Sequence, residues 1–427
     1  MVNARLNAQL EELARQDLFR TRRVLEGPQG VHVSVGGRAC LSFCSNDYLG
    51  LANHPRINAA AIEAVKRFGV GAGASPLVTG HNVLHQRAEE NLAAFVGLPR
   101  ALLFSSGYQA NIGAITSLVG RGDAVFSDAL NHASLIDGMR LSRADVLRYA
   151  HCDVSALEEM LASSHAKHKL VATDAVFSMD GDIAPLAAIL ALCERYDAWL
   201  LVDDAHGFGV LGANGRGVTE HLGLASPRII YVGTLGKAAG VAGAFVAGQN
   251  EIVETVLQRA RTYMFSTAAP AMLAAAVEES LLVMHDESWR RAHLQKLIAA
   301  LKNGVLISNS AGSGARLFPS ELPIQPLVVG GNCEALELAT ALFERGILVP
   351  AIRPPTVPEG TARLRISLSA AHGLDDVAQL TRALGESLSG FANDRLINGS
   401  VINGSLTNGS LTNDSLTNDS LTTVQER

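Results

Sequence analysis

The chain has 427 residues, 48% hydrophobic and 18% charged, with 35 basic against 41 acidic residues and a net charge of −6. This length predicts two or three domains, and the composition is that of a compact globular protein. Because the net charge is small and no run of five Lys or Arg residues occurs, nucleic acid and anionic membranes are not expected as main partners.

The cysteines and the N-terminal sequence favour a cytoplasmic protein. The five cysteines are odd in number and form no CxxC pair, which argues against a disulfide framework and a metal site. The first 23 residues mix charged and polar residues with leucines and lack the apolar core of a signal peptide. No apolar stretch reaches about 18 residues without a charge, so no membrane span is expected.

The N-terminal part predicts a helix, a hairpin and a loop. Leucines at helical spacing favour an amphipathic helix within residues 1–25, and two apolar runs around Gly36-Gly37 predict a β-hairpin over residues 31–43. A polar turn precedes a predicted helix over residues 55–67. The segment 69–80 is rich in Gly, Ser, Pro and Thr, which predicts an ordered loop with unusual backbone angles.

From residue 82, short β-branched runs alternate with helical segments. Strands are predicted at 101–105, 124–127, 146–149, 170–177, 199–203, 229–233 and 243–246, with helices at 82–96, from 106, at 155–164 and at 186–196. This alternation predicts an α/β fold with a mostly parallel sheet that helices cover on both faces. Ligands of such sheets bind at the carboxyl ends of the strands.

The C-terminal part predicts a smaller α+β domain. A long helical region over 251–303 leads to strands at 324–329, 347–349 and 362–368 and helices at 334–345 and 374–390. We divide the chain into an N-terminal helix and β segment (1–50), a large domain (51–290), a small domain (291–393) and a tail (394–427). Residues 398–422 are five copies of a five-residue unit, which we expect to be disordered and without a catalytic role.

One lysine lies in an apolar setting. The predicted strand 229–233 leads into a Gly-rich turn that carries Thr234 and Lys237, and the next charged residue is Glu251. Burial lowers the pKa of a lysine toward the range in which its free amine is a nucleophile or a base. This is the setting of a Schiff-base lysine, whereas a solvated loop lysine is the alternative.

Two phosphate-loop patterns near this lysine lack the right context. Gly207 to Gly212 match GxGxxG after a strand, but Asp203 and His206 intrude where that motif needs a tight turn. Gly236-Lys237 resembles the end of a Walker A loop, but Ala238 replaces the Ser or Thr that holds magnesium. A nucleotide-binding protein is therefore disfavoured; it would predict affinity for NAD or ATP and a colourless preparation.

A carboxylate and a lysine at neighbouring strand ends favour pyridoxal phosphate (PLP). An ionised Asp203 at the end of a buried strand needs a cationic or hydrogen-bonding partner, and the PLP ring nitrogen is one. An Asp beside that nitrogen keeps it protonated and makes the ring an electron sink. Ser106 to Tyr108, at a predicted helix start, offer backbone N–H groups to a phosphate. His132 follows a strand, where its imidazole could stack on a flat ring or serve as an ordinary N-cap.

Several motifs, in order, resemble the α-oxoamine synthase family of fold-type I PLP enzymes. The resemblance covers residues from about 10 to 390 and rests on SNDYLGL, GHNVLHQRAEENLAAF, FSSGYQANIG, DALNHASLIDG, FSMDGDIAPL, LVDDAHGFGVLG, GTLGKAAG, MFSTAAP and AIRPPTVPEGTARLRISLSAAH. It implies that the large domain binds PLP.

The resemblance implies a role for each matching residue on the cofactor side. Lys237 forms the imine with PLP and moves the Cα proton, Asp203 pairs with the ring nitrogen, and His132 stacks on the ring. The implied cofactor-binding residues are Gly107, Tyr108, Ser178, Asp203, His206, Thr234, Lys237 and, from a second subunit, Thr267.

On the substrate side, the resemblance implies that Arg365 clamps the amino-acid carboxylate, as suits a bidentate guanidinium. Asn46, Ser75 and His132 fall at matching substrate positions. Arg20 is the arginine expected to meet the acyl donor, with Arg22 and Arg23 as alternatives.

Within the family, the stretch from 351 to 365 is most similar to the member that acts in biotin biosynthesis. It implies a decarboxylative condensation of L-alanine with pimeloyl-CoA or pimeloyl-acyl carrier protein, in a homodimer with shared active sites. Members of the glycine C-acetyltransferase, 5-aminolevulinate synthase and serine palmitoyltransferase types are the alternatives. A binding subunit that has lost catalysis would lack Lys237 or Asp203, and both are present.

Overall fold

A computed structural model describes residues 2–308 and 315–397. The N-terminal helix α1 (Val2–Arg15) ends about ten residues before the predicted limit, and its leucine stripe is exposed to solvent. The hairpin prediction is confirmed by β1 (His32–Val35) and β2 (Arg38–Ser42), which pair in antiparallel register. Gly36 and Gly37 form the turn at φ +59 and +73, the left-handed angles that favour glycine. The repeat at 398–422 lies outside the described residues.

The predicted α/β alternation is confirmed in the middle of the chain. Its elements are α2 (Pro55–Phe68), α3 (Val83–Val96), β3 (Arg100–Phe104), α4 (Gly107–Leu118), β4 (Ala124–Asp128), α5 (Ala133–Ser142), β5 (Asp145–Tyr149), α6 (Val154–Ser163), β6 (Lys169–Asp174), α7 (Leu186–Arg195), β7 (Trp199–Asp203), α8 (Val218–His221), β8 (Ile229–Thr234) and β9 (Ala244–Gly248). A π-helical turn (Pro76–Gly80) lies in the predicted loop. Helix α5 was not predicted, and β6 ends three residues earlier than predicted.

These strands form a seven-stranded sheet in the order β3-β9-β8-β7-β6-β4-β5. Strand β9 is antiparallel to both of its neighbours, and the remaining pairs are parallel. Tyr231 of β8 packs into the core on one face, whereas Ile230 and Val232 pack into a second core on the other face. Because both faces are buried, these strands read as continuous apolar runs in the sequence.

The long helical region predicted over 251–303 is in fact four helices. They are α9 (Asn250–Arg259), α10 (Arg261–Met264), α11 (Ala271–Asp286) and α12 (Trp289–Ser308). The interruption before α11 ends at Pro270, which is the N-cap residue of that helix. A proline lacks the backbone N–H and restricts the residue before it, so the helical pattern cannot continue through this position. In the described ranges, no helix is both long and apolar enough to cross a membrane.

The C-terminal part contains a second sheet and two helices. Its elements are β10 (Arg316–Leu317), β11 (Ile324–Gly330), α13 (Asn332–Glu344), β12 (Ile347–Leu348), β13 (Ala351–Ile352), β14 (Ala362–Ser367) and α14 (Leu374–Ile397). Strands β10-β11-β14-β13 form an antiparallel sheet. Strand β12 instead pairs in parallel with β2, so the N-terminal hairpin joins the C-terminal part of the chain.

Candidate active site

Acidic and polar residues end the central parallel strands at one edge of the large sheet. Asp174 ends β6, Asp203 ends β7, and the two lie opposite each other in register. Asp203 is buried; its carboxylate accepts hydrogen bonds from Asn111 Nδ2 at 2.6 Å and from the Ala205 N–H at 3.0 Å. Among the described residues no cation forms an ion pair with it. The aspartate therefore fits a cationic ring nitrogen.

Lys237 lies on the turn that follows β8, and its Nζ is 2.9 Å from His206 Nε2. Burial lowers the pKa of Lys237 to about 8, although the negative charges of Asp203 and Asp174 act in the opposite direction. The apolar sequence around the lysine predicts this direction. A lysine amine of this kind is neutral often enough near pH 8 to attack a carbonyl or to take a proton.

The turn that carries Lys237 is packed tightly against the segment that follows β2. The Gly240 N–H donates to the Lys237 carbonyl at 2.8 Å, and Gly240 has φ +67. A Cβ atom at this position would lie 2.4 Å from the carbonyl carbon of Leu51. Only glycine fits here, since both the backbone angle and the close approach exclude a side chain.

His206 connects the lysine to residues at the N-terminus. Its Nδ1 is 2.7 Å from the hydroxyl of Tyr48, which is completely buried. Burial, together with the positive charges of Lys237 and Arg365, holds the pKa of His206 well below its usual value, so the imidazole is neutral.

His132 is the N-cap residue of α5. Its Nδ1 accepts hydrogen bonds from the hydroxyl and the backbone N–H of Ser134, at 2.7 and 3.3 Å. The backbone N–H of His132 donates to the Asp174 carboxylate at 2.7 Å. Ser134 also accepts from Asn111, which bonds Asp203, so the histidine and the aspartate belong to one network. The N-cap alternative is therefore confirmed, and stacking of the ring on a cofactor stays a prediction.

A cradle for an anion lies where β8 ends beside the start of α4. Gly107 is the first residue of this helix, and the Ser106 side chain caps the Gln109 N–H. A Cβ atom on Gly107 or on Gly236 would face Thr234 Oγ1, at 3.9 and 4.0 Å respectively. The helix N-terminus, the threonine hydroxyl and the lack of side chains together suit a phosphate.

Tyr108 lies beside this cradle, but its hydroxyl donates to Asp137 and the residue is exposed. The Tyr108 hydroxyl is thus hydrogen-bonded to Asp137 and does not point an unpaired donor at the anion cradle.

Arg365 of β14 is buried and is held by neutral acceptors. Its Nε donates to the Ser178 carbonyl at 2.6 Å, and its Nη1 donates to Asn46 Oδ1 at 3.0 Å. Further bonds reach Ser367 Oγ at 2.8 Å and the Tyr48 hydroxyl at 3.4 Å. In residues 2–308 and 315–397 no carboxylate pairs with this guanidinium. A buried charge without a counter-ion is costly, so the position suits a ligand carboxylate.

Two further predicted site residues, Thr267 and Ser75, lie in segments that pack on each other. Thr267 is exposed in the interruption between α10 and α11 and lines a cavity with Ser105. Ser75 precedes the π-helical turn, whose loop packs on the Thr267 segment through a hydrogen bond from the Ala268 N–H to the Ala74 carbonyl at 3.0 Å. Within the described part of the chain, neither side chain is hydrogen-bonded to the lysine site.

Arg20 is exposed and lines a small cavity with Arg353 and Thr356. Burial, and then the charge of Arg20, lower the pKa of Arg353, and the negative charge of Asp17 acts in the opposite direction. Neither guanidinium has an acidic ion-pair partner in the described ranges, so the cavity favours an anion.

Sequence reasoning missed four residues that contact the predicted ones: Tyr48, Asn111, Ser134 and Asp174. Asp174 carried the same signal as Asp203, an acidic residue in an apolar run, but the predicted strand continued past it. Tyr48, Asn111 and Ser134 lie inside motifs quoted above, yet their partners are far away in sequence and no local spacing indicates them.

Comparison with known proteins shows the family to which this chain belongs. The family model described as aminotransferase class I and II matches residues 38–384. An 8-amino-7-oxononanoate synthase from Polaromonas sp. is 57% identical over 383 residues, which cover 89% of this chain and 94% of that relative.

Solved structures are similar over nearly the whole described chain. A serine palmitoyltransferase solved with PLP superposes with a TM-score of 0.84 at 31% identity, covering 90% of this chain and 98% of that one. The crystal structure of an 8-amino-7-oxononanoate synthase from Francisella tularensis gives a TM-score of 0.70 at 30% identity, covering 82% and 98%.

Proposed function

We propose a specific reaction for this chain, which belongs to the PLP-dependent class I and II aminotransferase family and, within it, to the α-oxoamine synthases. The reaction is the decarboxylative condensation of L-alanine with a pimeloyl thioester to give 8-amino-7-oxononanoate, a step of biotin biosynthesis. The observation that carries the proposal is the buried Arg365, which lacks a carboxylate partner in the described chain and connects to Lys237 through Tyr48 and His206. The name of the relative at 57% identity supports the choice of acyl chain.

The residues present fit PLP. The buried Asp203 carboxylate would hold the ring nitrogen, the N–H groups at Gly107 and the Thr234 hydroxyl would hold the phosphate, and His132 would stack on the ring. When bound, PLP supplies a protonated ring that withdraws electrons from the bonds of the substrate Cα. Asp203, held in place by the hydrogen bond from Asn111, would keep that ring protonated.

Arg365 and Lys237 act on different groups of the amino acid, its carboxylate and its Cα proton. Arg365 binds the carboxylate of L-alanine and orients it with Asn46. Lys237, with its pKa near 8, takes the Cα proton and later returns a proton to the same carbon. Overall, the Cα–H, C–S and Cα–carboxylate bonds break, and one C–C, one C–H and one S–H bond form. CO₂ and the thiol leave, and one proton is taken up from solvent.

Arg20 and Arg353 supply the acyl-donor side in this proposal. Their shared cavity would bind the terminal carboxylate of the pimeloyl chain, whether the thioester is carried on coenzyme A or on acyl carrier protein. The support is the pair of guanidiniums without acidic ion-pair partners among the described residues.

We further propose a homodimer in which Thr267 completes the phosphate site of the partner subunit. Thr267 and the neighbouring Phe265 are exposed, as is the leucine stripe of α1. We expect the enzyme to act in the cytoplasm, since its cysteines are free thiols. Mixing Lys237→Ala and Thr267→Ala subunits tests the shared site, because heterodimers would regain one intact site and some activity. Mixtures with no activity above that of the separate variants would contradict it.

The test of function is a spectral and product assay. We expect a yellow holoenzyme whose absorbance changes with L-alanine more than with glycine or L-serine, and which releases 8-amino-7-oxononanoate with pimeloyl-CoA, as measured by mass spectrometry. Borohydride should fix the cofactor on Lys237, and Lys237→Ala should abolish turnover. A response to L-serine with a long-chain acyl-CoA would instead favour the serine palmitoyltransferase type, which the higher TM-score of that structure keeps as the alternative.

A further inference from the structure

The hydroxyl of Tyr48 contacts side chains from three separate parts of the chain. It lies 2.7 Å from His206 Nδ1, 3.1 Å from Asn46 Oδ1 and 3.4 Å from Arg365 Nη2. Tyr48 is 1% exposed, so water does not compete for these bonds. This one oxygen atom joins the residue beside the lysine to the two residues proposed to bind the substrate carboxylate.

The donors and acceptors around this oxygen can be assigned one by one. A guanidinium only donates, so the Tyr48 oxygen accepts from Arg365. Asn46 Oδ1 is an amide oxygen that can only accept, so in its contact with Tyr48 at 3.1 Å the hydroxyl is the donor. The same oxygen also accepts from Arg365 Nη1 at 3.0 Å. With the Tyr48 proton in the bond to Asn46, the bond of 2.7 Å to His206 is assigned with Nδ1 as the donor.

This assignment fixes the tautomer of His206. With its proton on Nδ1, the neutral imidazole has a lone pair on Nε2, and that atom faces Lys237 Nζ at 2.9 Å. The lysine amine therefore donates to His206 and keeps its own lone pair directed elsewhere. Tyr48 thus determines which nitrogen of His206 is the hydrogen-bond acceptor for Lys237, although it makes no hydrogen bond to the lysine itself.

We propose that Tyr48 is a positioning residue that couples the carboxylate site at Arg365 and Asn46 to the lysine site at His206 and Lys237. The proposal rests on the proposed function in taking an amino-acid carboxylate as the ligand of Arg365. Binding of that carboxylate changes the positions of the Arg365 and Asn46 side chains. Because the Tyr48 hydroxyl contacts both and is 2.7 Å from His206 Nδ1, this change alters the position of the imidazole.

The experiment is Tyr48→Phe, which removes only the hydroxyl. Its control is Tyr149→Phe, because Tyr149 is equally buried and its hydroxyl bonds none of the site residues in the described part of the chain. We expect Tyr48→Phe to raise the KM for L-alanine about 10-fold or more, as for a lost hydrogen bond to a charged group. We also expect it to weaken PLP binding severalfold, measured by fluorescence titration of the cofactor-free protein. Tyr149→Phe should leave both values within about twofold.

The KM change should also depend on the arginine. In an Arg365→Lys background, Tyr48→Phe should add little further increase in KM, because the partner of the hydroxyl is already gone. If Tyr48→Phe lowers only the melting temperature, while the KM for L-alanine and the Kd for PLP stay at wild-type values, Tyr48 is a core residue and the proposal is wrong.

Failure of the proposed function can be distinguished from failure of the proposal on Tyr48. If the holoenzyme fails to turn over L-alanine with pimeloyl-CoA, the substrate assignment fails, but the PLP titration of Tyr48→Phe against Tyr149→Phe still judges the contact with His206. An unchanged PLP Kd in that comparison overturns the coupling whatever the substrate is.

Discussion

Arg363 and Arg365 stand two positions apart on β14 and are equally buried, yet only Arg363 forms an ion pair among the described residues, with Asp180. Arg363 also donates to the Met179 carbonyl at 3.2 Å, so it holds the same turn whose Ser178 carbonyl orients Arg365. Arg363 is thus paired with a carboxylate of the protein, whereas Arg365 has no such partner among the described residues and can bind an anionic ligand.

This difference predicts that two matched substitutions change different properties: the KM for L-alanine in one case and the free energy of unfolding in the other. Arg365→Gln should raise the KM for L-alanine about 10- to 100-fold, because a charge-assisted bond to the carboxylate is lost. Its free energy of unfolding should stay within about 1 kcal/mol of the wild-type value, because removal of a buried, unpaired charge offsets the loss of the hydrogen bonds that the guanidinium donates.

Arg363→Gln should instead lower the free energy of unfolding by about 3 kcal/mol, because Asp180 loses its ion pair in a largely buried site. Urea unfolding and steady-state kinetics on both variants check the pair. An Arg365→Gln enzyme with an unchanged KM for L-alanine would show that the substrate carboxylate binds elsewhere.

Lys237 should destabilise the cofactor-free protein. Its folded pKa of about 8 lies below the ordinary 10.5, so the unfolded chain binds more protons between these values and stability rises with pH across that window. Below pH 8 the cost is constant at about 3 kcal/mol. Lys237→Met should therefore be more stable than wild type at pH 7, and this advantage should shrink toward pH 10. Urea unfolding at both pH values and equal protein concentration measures it; a variant less stable than wild type at pH 7 would contradict the argument.

His151 should show the opposite pH dependence. It bonds Asp128 at 3.0 Å and Asp182 at 2.8 Å, and these two carboxylates raise its pKa to about 12. Since the folded value is raised, the stability contribution is complete below the ordinary 6.5 and is lost as pH rises toward 12. His151→Gln should lower the free energy of unfolding by about 3 kcal/mol at pH 6 and by less at pH 9. A loss that grows with pH would refute the assignment of a charged His151.

Two glycines of the lysine turn should respond differently to alanine. Gly240→Ala places a Cβ atom 2.4 Å from the Leu51 backbone at a positive φ, so we expect a loss of about 3 kcal/mol and a displaced turn. In Gly236→Ala the nearest atoms to the new Cβ lie 4.0 Å away, so the melting temperature of the cofactor-free protein should change little. Equal melting temperatures for the two variants would mean that the turn is not packed on Leu51.

The sequence predicts the large sheet because its strands are buried on both faces and carry long apolar runs. It also predicts β12 within the apolar run 347–349, but not its pairing with β2. It does not predict β10 and β13, each only two residues long, because their pairing is set by distant strands and not by local pattern. The predicted lysine and aspartate site shares this limit. The turn at Lys237 has a local signature, whereas the bond from Arg365 to Asn46 joins residues 319 positions apart.

The pairing of the N-terminal hairpin with β12 also sets the order in which a growing chain can assemble. Leu41 of β2 has Ile347 as its register partner, so the hairpin cannot gain this third strand until the ribosome has passed residue 347. Asn46 and Tyr48 directly follow the hairpin. Asp203 ends β7 and Lys237 lies on the turn after β8, and the partners of these two strands are made much earlier. Closing so long a loop is slow. We therefore expect the half of the site with the aspartate and the lysine to form first during synthesis, and the half proposed to hold the carboxylate to form last.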